Sequence, residues 1–169
     1  MSLAQSLLPE FDHEMATTRR LLERVPEADA GWKPHPKSMS LGELAAHVAN
    51  IPGWAQVTLG PDEFDVAPPG AAPYVPPGYT GTPALLQRFD EAVATSRAML
   101  AATTDEAMMR TWSFKRGGAV MMAMPRAAAY RSFIMNHLIH HRGQLSVYLR
   151  LRDVPLPSVY GPSADEARS

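Results

Sequence analysis

The residues of this sequence that could do chemistry are concentrated in one stretch, NHLIHHRGQ at 136–144. Two of its three histidines, His137 and His141, are four residues apart. On an α-helix this spacing rotates the second side chain by only roughly 40° from the first and raises it by about one turn. Both imidazoles would therefore face the same way, as two ligands of one metal ion must. His140 points further round the helix, so we expect it at an edge.

A third histidine in similar surroundings, His47, lies on the apolar stripe of a separate predicted helix, SLGELAAHVAN at 40–50. A buried imidazole needs partners for both ring nitrogens, so three of them either form a metal-free polar core or bind one ion. Three neutral imidazoles suit zinc, nickel or another divalent first-row metal and leave one position open. His13 and His35 lie in the first helix and in a proline-rich link, where we expect surface residues.

The composition excludes several other kinds of site. The chain of 169 residues has no cysteine, so thiolate nucleophiles, disulfides and cysteine zinc ligands are ruled out. Its 16 Lys and Arg residues against 17 acidic ones give no basic excess for nucleic acid. The N-terminus has no signal-peptide pattern and nothing resembles a membrane span. We therefore expect one cytoplasmic domain over residues 1–169, with neither a nucleic-acid nor a membrane partner.

Four amphipathic patterns would position these histidines, and they predict an all-α chain. Apolar residues recur at steps of three and four along 2–25, 40–59, 82–102 and 125–152. The segment 60–83 holds seven of the 16 prolines, so we expect a long loop that crosses the bundle or forms a lid. Together these patterns describe a four-helix bundle with a long proline-rich crossover loop.

Two local features depart from simple helical periodicity. The sequence TWSFKRGGAVMMAM favours two short strands around a Gly-Gly turn, so we expect a minor β-hairpin near 112–122. In the first helix, Pro9 is best tolerated in a first turn, which predicts that the regular helix begins near Leu8.

Three motifs, SLGELAAHVAN, HLIHHRGQLSVYLR and the tail DVPLPSVYG, make the chain resemble the DinB family over nearly its whole length. The most specific motif is a histidine, three residues, then HRGQ, which fits His137 and the stretch 141–144; the family's upstream histidine matches His47. The resemblance implies a helical bundle with a long crossover, often dimeric. It also implies a divalent metal bound by His47, His137 and His141. The segment 60–83 is atypically long for the family.

The resemblance also implies a chemistry. Family members with assigned activities include thiol-dependent transferases and isomerases that use low-molecular-weight thiols. A metal-activated thiol as cosubstrate fits a chain without cysteine, so a metal-dependent thiol S-transferase is the leading hypothesis. A metal-dependent hydrolase, with Glu14 or Glu43 as its base, is an alternative. A non-catalytic metal-binding stress-response module is another.

Residues near the histidines have two interpretations each. Arg142 binds an anionic group or forms an ion pair at the surface or between helices, and Gln144 orients a loop carbonyl or a ligand or faces solvent. Asn50 lines the site or caps the kink that follows it. The resemblance indicates a homodimer, and the sequence offers aromatic side chains for an interface: Trp54, Trp112 and Tyr79.

Overall fold

The computed structural model describes residues 2–166, which are mostly helical with a small three-stranded sheet. The helices are α1 Leu3–Leu22, α2 Leu41–Asn50, α3 Ala55–Leu59, α4 Thr82–Ala102, α5 Asp105–Met109, α6 Arg126–Tyr130 and α7 His137–Leu151. The strands are β1 Glu63–Asp65, β2 Thr111–Arg116 and β3 Ala119–Pro125. Short 3-10 turns cover Glu27–Asp29 and Ile51–Trp54, and a π-helical turn covers Arg131–Asn136. Within this range no helix is both long and apolar enough to cross a membrane.

The four longest helices share one hydrophobic core. α1 packs on α4 and α7, and α2 packs on the same two helices, so neighbours follow the order α1, α4, α2, α7 around the core. Their apolar stripes supply fully buried side chains, among them Phe11, Leu44, Phe89 and Leu145. The mostly helical fold is thus confirmed, whereas the full four-helix-bundle topology and the crossover path of 60–83 stay predictions.

α1 begins earlier than the sequence predicts. The Ser2 hydroxyl accepts the backbone N–H of Gln5, and the Gln5 side chain accepts the backbone N–H of Ser2. This capping box satisfies two backbone donors at the helix start, so the helix begins at Leu3 and Pro9 lies in its interior. The prediction of a start near Leu8 is wrong, because the cap and the buried face outweigh the one backbone hydrogen bond that a proline removes.

The sheet contains the predicted hairpin and a strand that the sequence did not reveal. β2 and β3 pair antiparallel around Gly117 and Gly118, whose φ values of 61° and 81° are left-handed values that glycine adopts without strain. β1 comes from the proline-rich segment and pairs parallel with β2. Both glycine N–H groups donate to the Asp65 carboxylate at the end of β1. The all-α prediction is corrected accordingly, because tertiary pairing creates a third strand.

The last helical run extends from Arg126 to Leu151 but is not regular throughout. A π-helical turn at Arg131–Asn136 interrupts it directly before His137. A π turn adds a residue to the turn and so rotates the face that follows relative to the face before it. The sequence predicted one regular helix over 125–152, because apolar spacing does not reveal such a turn. Its position sets the direction of the histidine face of α7.

Candidate metal centre

His47, His137 and His141 meet in one cluster where α2 packs against α7. The Nε2 atoms of His47 and His137 are 3.0 Å apart, and one ring nitrogen from each of the three residues lies within 4.8 Å of the other two. The ring centroid of His141 lies 4.4 Å from that of His47 and 4.5 Å from that of His137. The structure thus brings the three predicted ligands together, and metal binding itself stays a prediction.

The spacing of these nitrogens fits a divalent ion. Two imidazole nitrogens that each lie about 2.0–2.1 Å from one ion are roughly 3 Å apart. The contact between His47 and His137 has this length. It also suits a hydrogen bond between two neutral rings, but such a bond uses only two of the three imidazoles. A grouping of three ring nitrogens within 4.8 Å of one another is what a shared ion requires.

All three rings are neutral at pH 7, which leaves each with a lone pair to offer. Burial, reinforced by the neighbouring imidazoles, lowers the pKa of His47 and of His137 to about 4. Burial also lowers the pKa of His141, although its hydrogen bond with Gln144 partly opposes this. Because metal ligation needs the unprotonated ring, these shifts favour binding at neutral pH.

Gln144 orients His141. The His141 Nδ1 atom lies 2.7 Å from Oε1 of Gln144, and Nε2 of Gln144 lies 3.1 Å from Nε2 of His140. An amide oxygen only accepts, so in this orientation it holds the proton on Nδ1 and leaves Nε2 of His141 with its lone pair. Gln144 is exposed, and the contact gives it a role that the sequence did not suggest, which is to orient a histidine of the cluster. His140 is exposed and lies outside the cluster, as expected.

Trp54 is a site residue that the sequence interpretation missed. Its ring lies edge-on to both His47 and His137, with centroid distances of 5.6 Å and 5.2 Å. Its apolar surface covers one side of the cluster and contributes to the burial of the two imidazoles. The signal was its position seven residues after His47, two helical turns further along the same face.

A cavity of about 680 Å³ opens beside His137. Its walls are mostly apolar and come from the turn before α3, the sheet, the π turn and the proline-rich segment, with the aromatic residues Trp54, Phe64, Tyr74, Trp112, Phe114 and Phe133. The rings of Phe64 and Tyr74 pack edge-on with their centroids 5.9 Å apart, so residues from the segment 60–83 form one wall of the cavity. The size and apolar lining suit a small organic molecule.

Asn50 attaches the proline-rich segment to the end of α2. It lines the cavity, and its Nδ2 donates to the carbonyl of Pro77 at 2.8 Å. This fits the first of the two roles that the sequence suggested. His13 and His35 are exposed and outside the cluster, as expected.

The two carboxylates considered as a catalytic base are engaged elsewhere. Glu14 is buried beside Arg142, with Oε2 and Nη1 2.5 Å apart at an angle unsuited to a linear hydrogen bond, and its Oε1 accepts from the Tyr160 hydroxyl at 2.9 Å. Arg142 is therefore an interhelical ion-pair residue and does not face a ligand. Glu43 caps α2 by accepting the backbone N–H of Ser40 at 2.6 Å. Among the residues described, the histidine cluster includes no carboxylate.

The aromatic residues suggested for a dimer interface are used within the chain. Trp112 is buried, and its indole N–H donates to the carbonyl of Val57 at 2.7 Å. The Tyr79 hydroxyl is hydrogen-bonded to that of Thr82, and Trp54 packs on the histidines. These side chains give no support to a dimer, which stays a prediction from the resemblance.

Comparisons with known proteins agree with the resemblance seen in the motifs. YrdA, an uncharacterised protein of Bacillus subtilis (strain 168), is 22% identical over 163 residues, covering 94% of this chain and 89% of that protein. The crystal structure of a DinB-like protein from Bacillus cereus ATCC 10987 matches with a TM-score of 0.70 at 22% identity, covering 92% of this chain and 97% of that one. The structure of YjoA, a DinB-like protein from Bacillus subtilis, gives a TM-score of 0.63 at 19% identity, covering 96% of this chain and 99% of that one. These structural matches show a shared fold. A model of the DinB superfamily matches residues 10–145, and the chain belongs to that superfamily.

Proposed function

We propose that this protein is a divalent-metal enzyme that transfers a low-molecular-weight thiol to a small electrophile. The observation that carries the proposal is the neutral histidine triad beside an apolar cavity that His137 itself lines. Zinc and nickel are the metals we expect from three imidazole ligands. A divalent ion held there would lower the pKa of a bound thiol and raise its thiolate fraction at neutral pH.

The chain's own residues would hold the metal, orient its ligands, bind the electrophile and exclude water from the site. His47 and His137 offer neutral nitrogens from two different helices, and Gln144 fixes the ring of His141. Trp54 covers one side of the cluster. The aromatic walls hold the apolar part of the electrophile. In the transfer, a bond forms between the thiol sulfur and the electrophilic carbon, the bond from that carbon to its leaving group breaks, and the thiol proton and the leaving anion pass to solvent.

A metal-dependent hydrolase is a less suitable function for this site. Hydrolysis needs a base that accepts a proton from the attacking water. Among the described residues that line the cavity, Glu91 is the single carboxylate, and it is exposed, with Oε1 accepting from Gln87 at 2.9 Å. A thiol transferase has less need of this base, because a metal-bound thiol loses its proton more readily than water does.

The test is thiol consumption by metal-loaded, untagged protein with a chloro-dinitroaromatic as electrophile. Cysteine, glutathione and the other common bacterial thiols are tried in turn, and formation of the aryl thioether is followed by its absorbance. We expect a metal-dependent rate above the uncatalysed reaction that is lost after chelation and in His47→Ala. His13→Ala, which changes an exposed histidine, is the matched control and should keep the full rate. Stoichiometric metal without turnover of any thiol would contradict the proposal and favour the non-catalytic metal-binding module.

A further inference from the structure

Arg88 on α4 contributes an unpaired cation to the lining of the cavity beside His137. Its Nη1 donates to the carbonyl of Gly78 at 3.2 Å. Its Nε and Nη2 are buried and, within residues 2–166, have no hydrogen-bond partner. A guanidinium stays protonated in proteins, so these atoms are charged donors without an acceptor in mostly apolar surroundings.

In the part of the chain that the structure covers, no carboxylate is within ion-pair distance of Arg88. Glu91 lines the same cavity, but it is exposed and its Oε1 accepts from Gln87. Arg126 also has a buried Nε without a partner, yet its Nη2 forms an ion pair with Asp62. Arg88 has no such ion pair. Arg88 is partly buried, and shielding its Nε and Nη2 from water without giving them an acceptor costs free energy, which points to a role for these two donors.

The two unpartnered atoms of Arg88 are the pair that binds a carboxylate. Elsewhere in this chain Arg19 and Arg97 use their Nε and Nη2 atoms, at 2.8 Å and 3.0 Å, to hold both carboxylate oxygens of Asp90 and of Asp12. These two N–H groups are parallel and match the spacing of the two oxygens. Arg88 presents the same edge of its guanidinium without an acid to fill it.

We propose that the cavity binds a small carboxylate with an apolar, ring-containing body, and that Arg88 holds its carboxylate through Nε and Nη2. The aromatic walls, among them Phe64, Trp112 and Phe133, accept the apolar body. The ligand then occupies the same cavity that His137 lines. Its assignment as the electrophilic substrate rests on the proposed function. The binding itself requires neither a metal nor turnover.

The experiment compares 2-naphthylacetate with its neutral amide by isothermal titration calorimetry. Metal is removed with a chelator beforehand, so that a bond between carboxylate and metal cannot contribute. We expect the acid to bind about tenfold more tightly than the amide, because the charged hydrogen bonds are made only by the acid. In Arg88→Gln the two probes should bind equally and the affinity of the amide should be unchanged, which also shows that the cavity is intact. Arg97→Gln, on the same helix but outside the cavity, should keep the preference.

Arg88→Lys and thermal unfolding separate a ligand-binding role from a structural one. Lysine keeps the charge without the paired donors, so it should retain only part of the preference for the acid. Without ligand, Arg88→Gln should melt at the same temperature as the wild type or higher, because an uncompensated buried charge is removed. A lower melting temperature together with a retained acid preference would assign Arg88 to the support of Gly78 and overturn the inference.

Three outcomes would overturn the inference: equal affinities in the wild type, an acid preference that survives in Arg88→Gln, or binding of neither probe. An acid preference without thiol turnover would uphold the carboxylate site and refute the proposed function. Thiol turnover without an acid preference would uphold the proposed function and refute the carboxylate site.

Discussion

Two neighbouring residues of α7, His141 and Arg142, face different helices, and they differ in how far other groups of the chain satisfy them. Arg142 is buried, forms an ion pair with Glu14 and donates to the Tyr160 hydroxyl, which in turn donates to Glu14. His141 has one nitrogen held by Gln144, and its ring lies against two other imidazoles. The first arrangement has its counterion within the chain and holds α1 to α7. The second brings one nitrogen from each of three imidazoles within 4.8 Å of the others, and among the described residues no acid joins them, which is what distinguishes a candidate site from a structural contact.

The largest expected effect on stability comes from breaking the ion pair between Glu14 and Arg142. Arg142→Met leaves the Glu14 carboxylate buried without its counterion, so we expect the free energy of unfolding to fall by about 3–5 kcal/mol. Urea denaturation measures this. The double variant Glu14→Leu/Arg142→Met removes both charges and should recover most of the loss. If the single variant were as stable as the wild type, the ion pair would not be the structural element described above.

A smaller effect is expected from weakening the orientation of the histidine cluster. Gln144→Leu removes the acceptor that holds the proton on Nδ1 of His141, and partners of this kind change metal affinity by about 10–100-fold. Competition with a chromophoric chelator measures the affinity. Ser146→Ala, two residues further along and hydrogen-bonded to a backbone carbonyl, is the control that should not change it. Unchanged affinity in Gln144→Leu would mean that His141 needs no orienting partner or is not a ligand.

Whether a feature of these two regions could be predicted from the sequence depends on how far apart in the chain the interacting residues lie. His137 and His141 are one helical turn apart, so the sequence alone predicts that they face the same way. His47 could be added as the third candidate ligand because it lies on the apolar stripe of another predicted helix. Trp54, the cavity and the open edge of Arg88 depend on how distant segments pack. β1 exists only because it pairs with β2 across more than forty residues of chain. The ion-pair role of Arg142 was among the stated options and its contacts decided for it, whereas the contact of Gln144 with His141 was not foreseen.

The smallest expected effect is on the pH dependence of the stability of the metal-free protein. The pKa of His47 and of His137 is lowered to about 4 in the folded state, against about 6.5 when unfolded. The unfolded chain therefore binds more protons between these values, so stability falls as the pH drops from about 6.5 to about 4 and levels off below that. The half-exposed state of both rings keeps this contribution below that of the buried ion pair.

Urea midpoints of chelated protein at pH 7 and pH 4.5 measure this dependence. Because carboxylates titrate in the same range, the informative quantity is the difference between the wild type and His47→Ala/His137→Ala. That difference should shift in favour of the double variant at the lower pH. An identical pH dependence in both proteins would show that the two imidazoles are not held neutral by the fold.

The most direct test of the central claim is the metal content of untagged protein. After equilibration with zinc or nickel and removal of the free ion, elemental analysis should give about one ion per chain for the wild type and almost none for His47→Ala. His140→Ala, which changes the histidine next to His141 but outside the cluster, should retain the full content. A wild type without stoichiometric metal, or a His47→Ala protein that keeps it, would contradict a metal centre built by these three histidines.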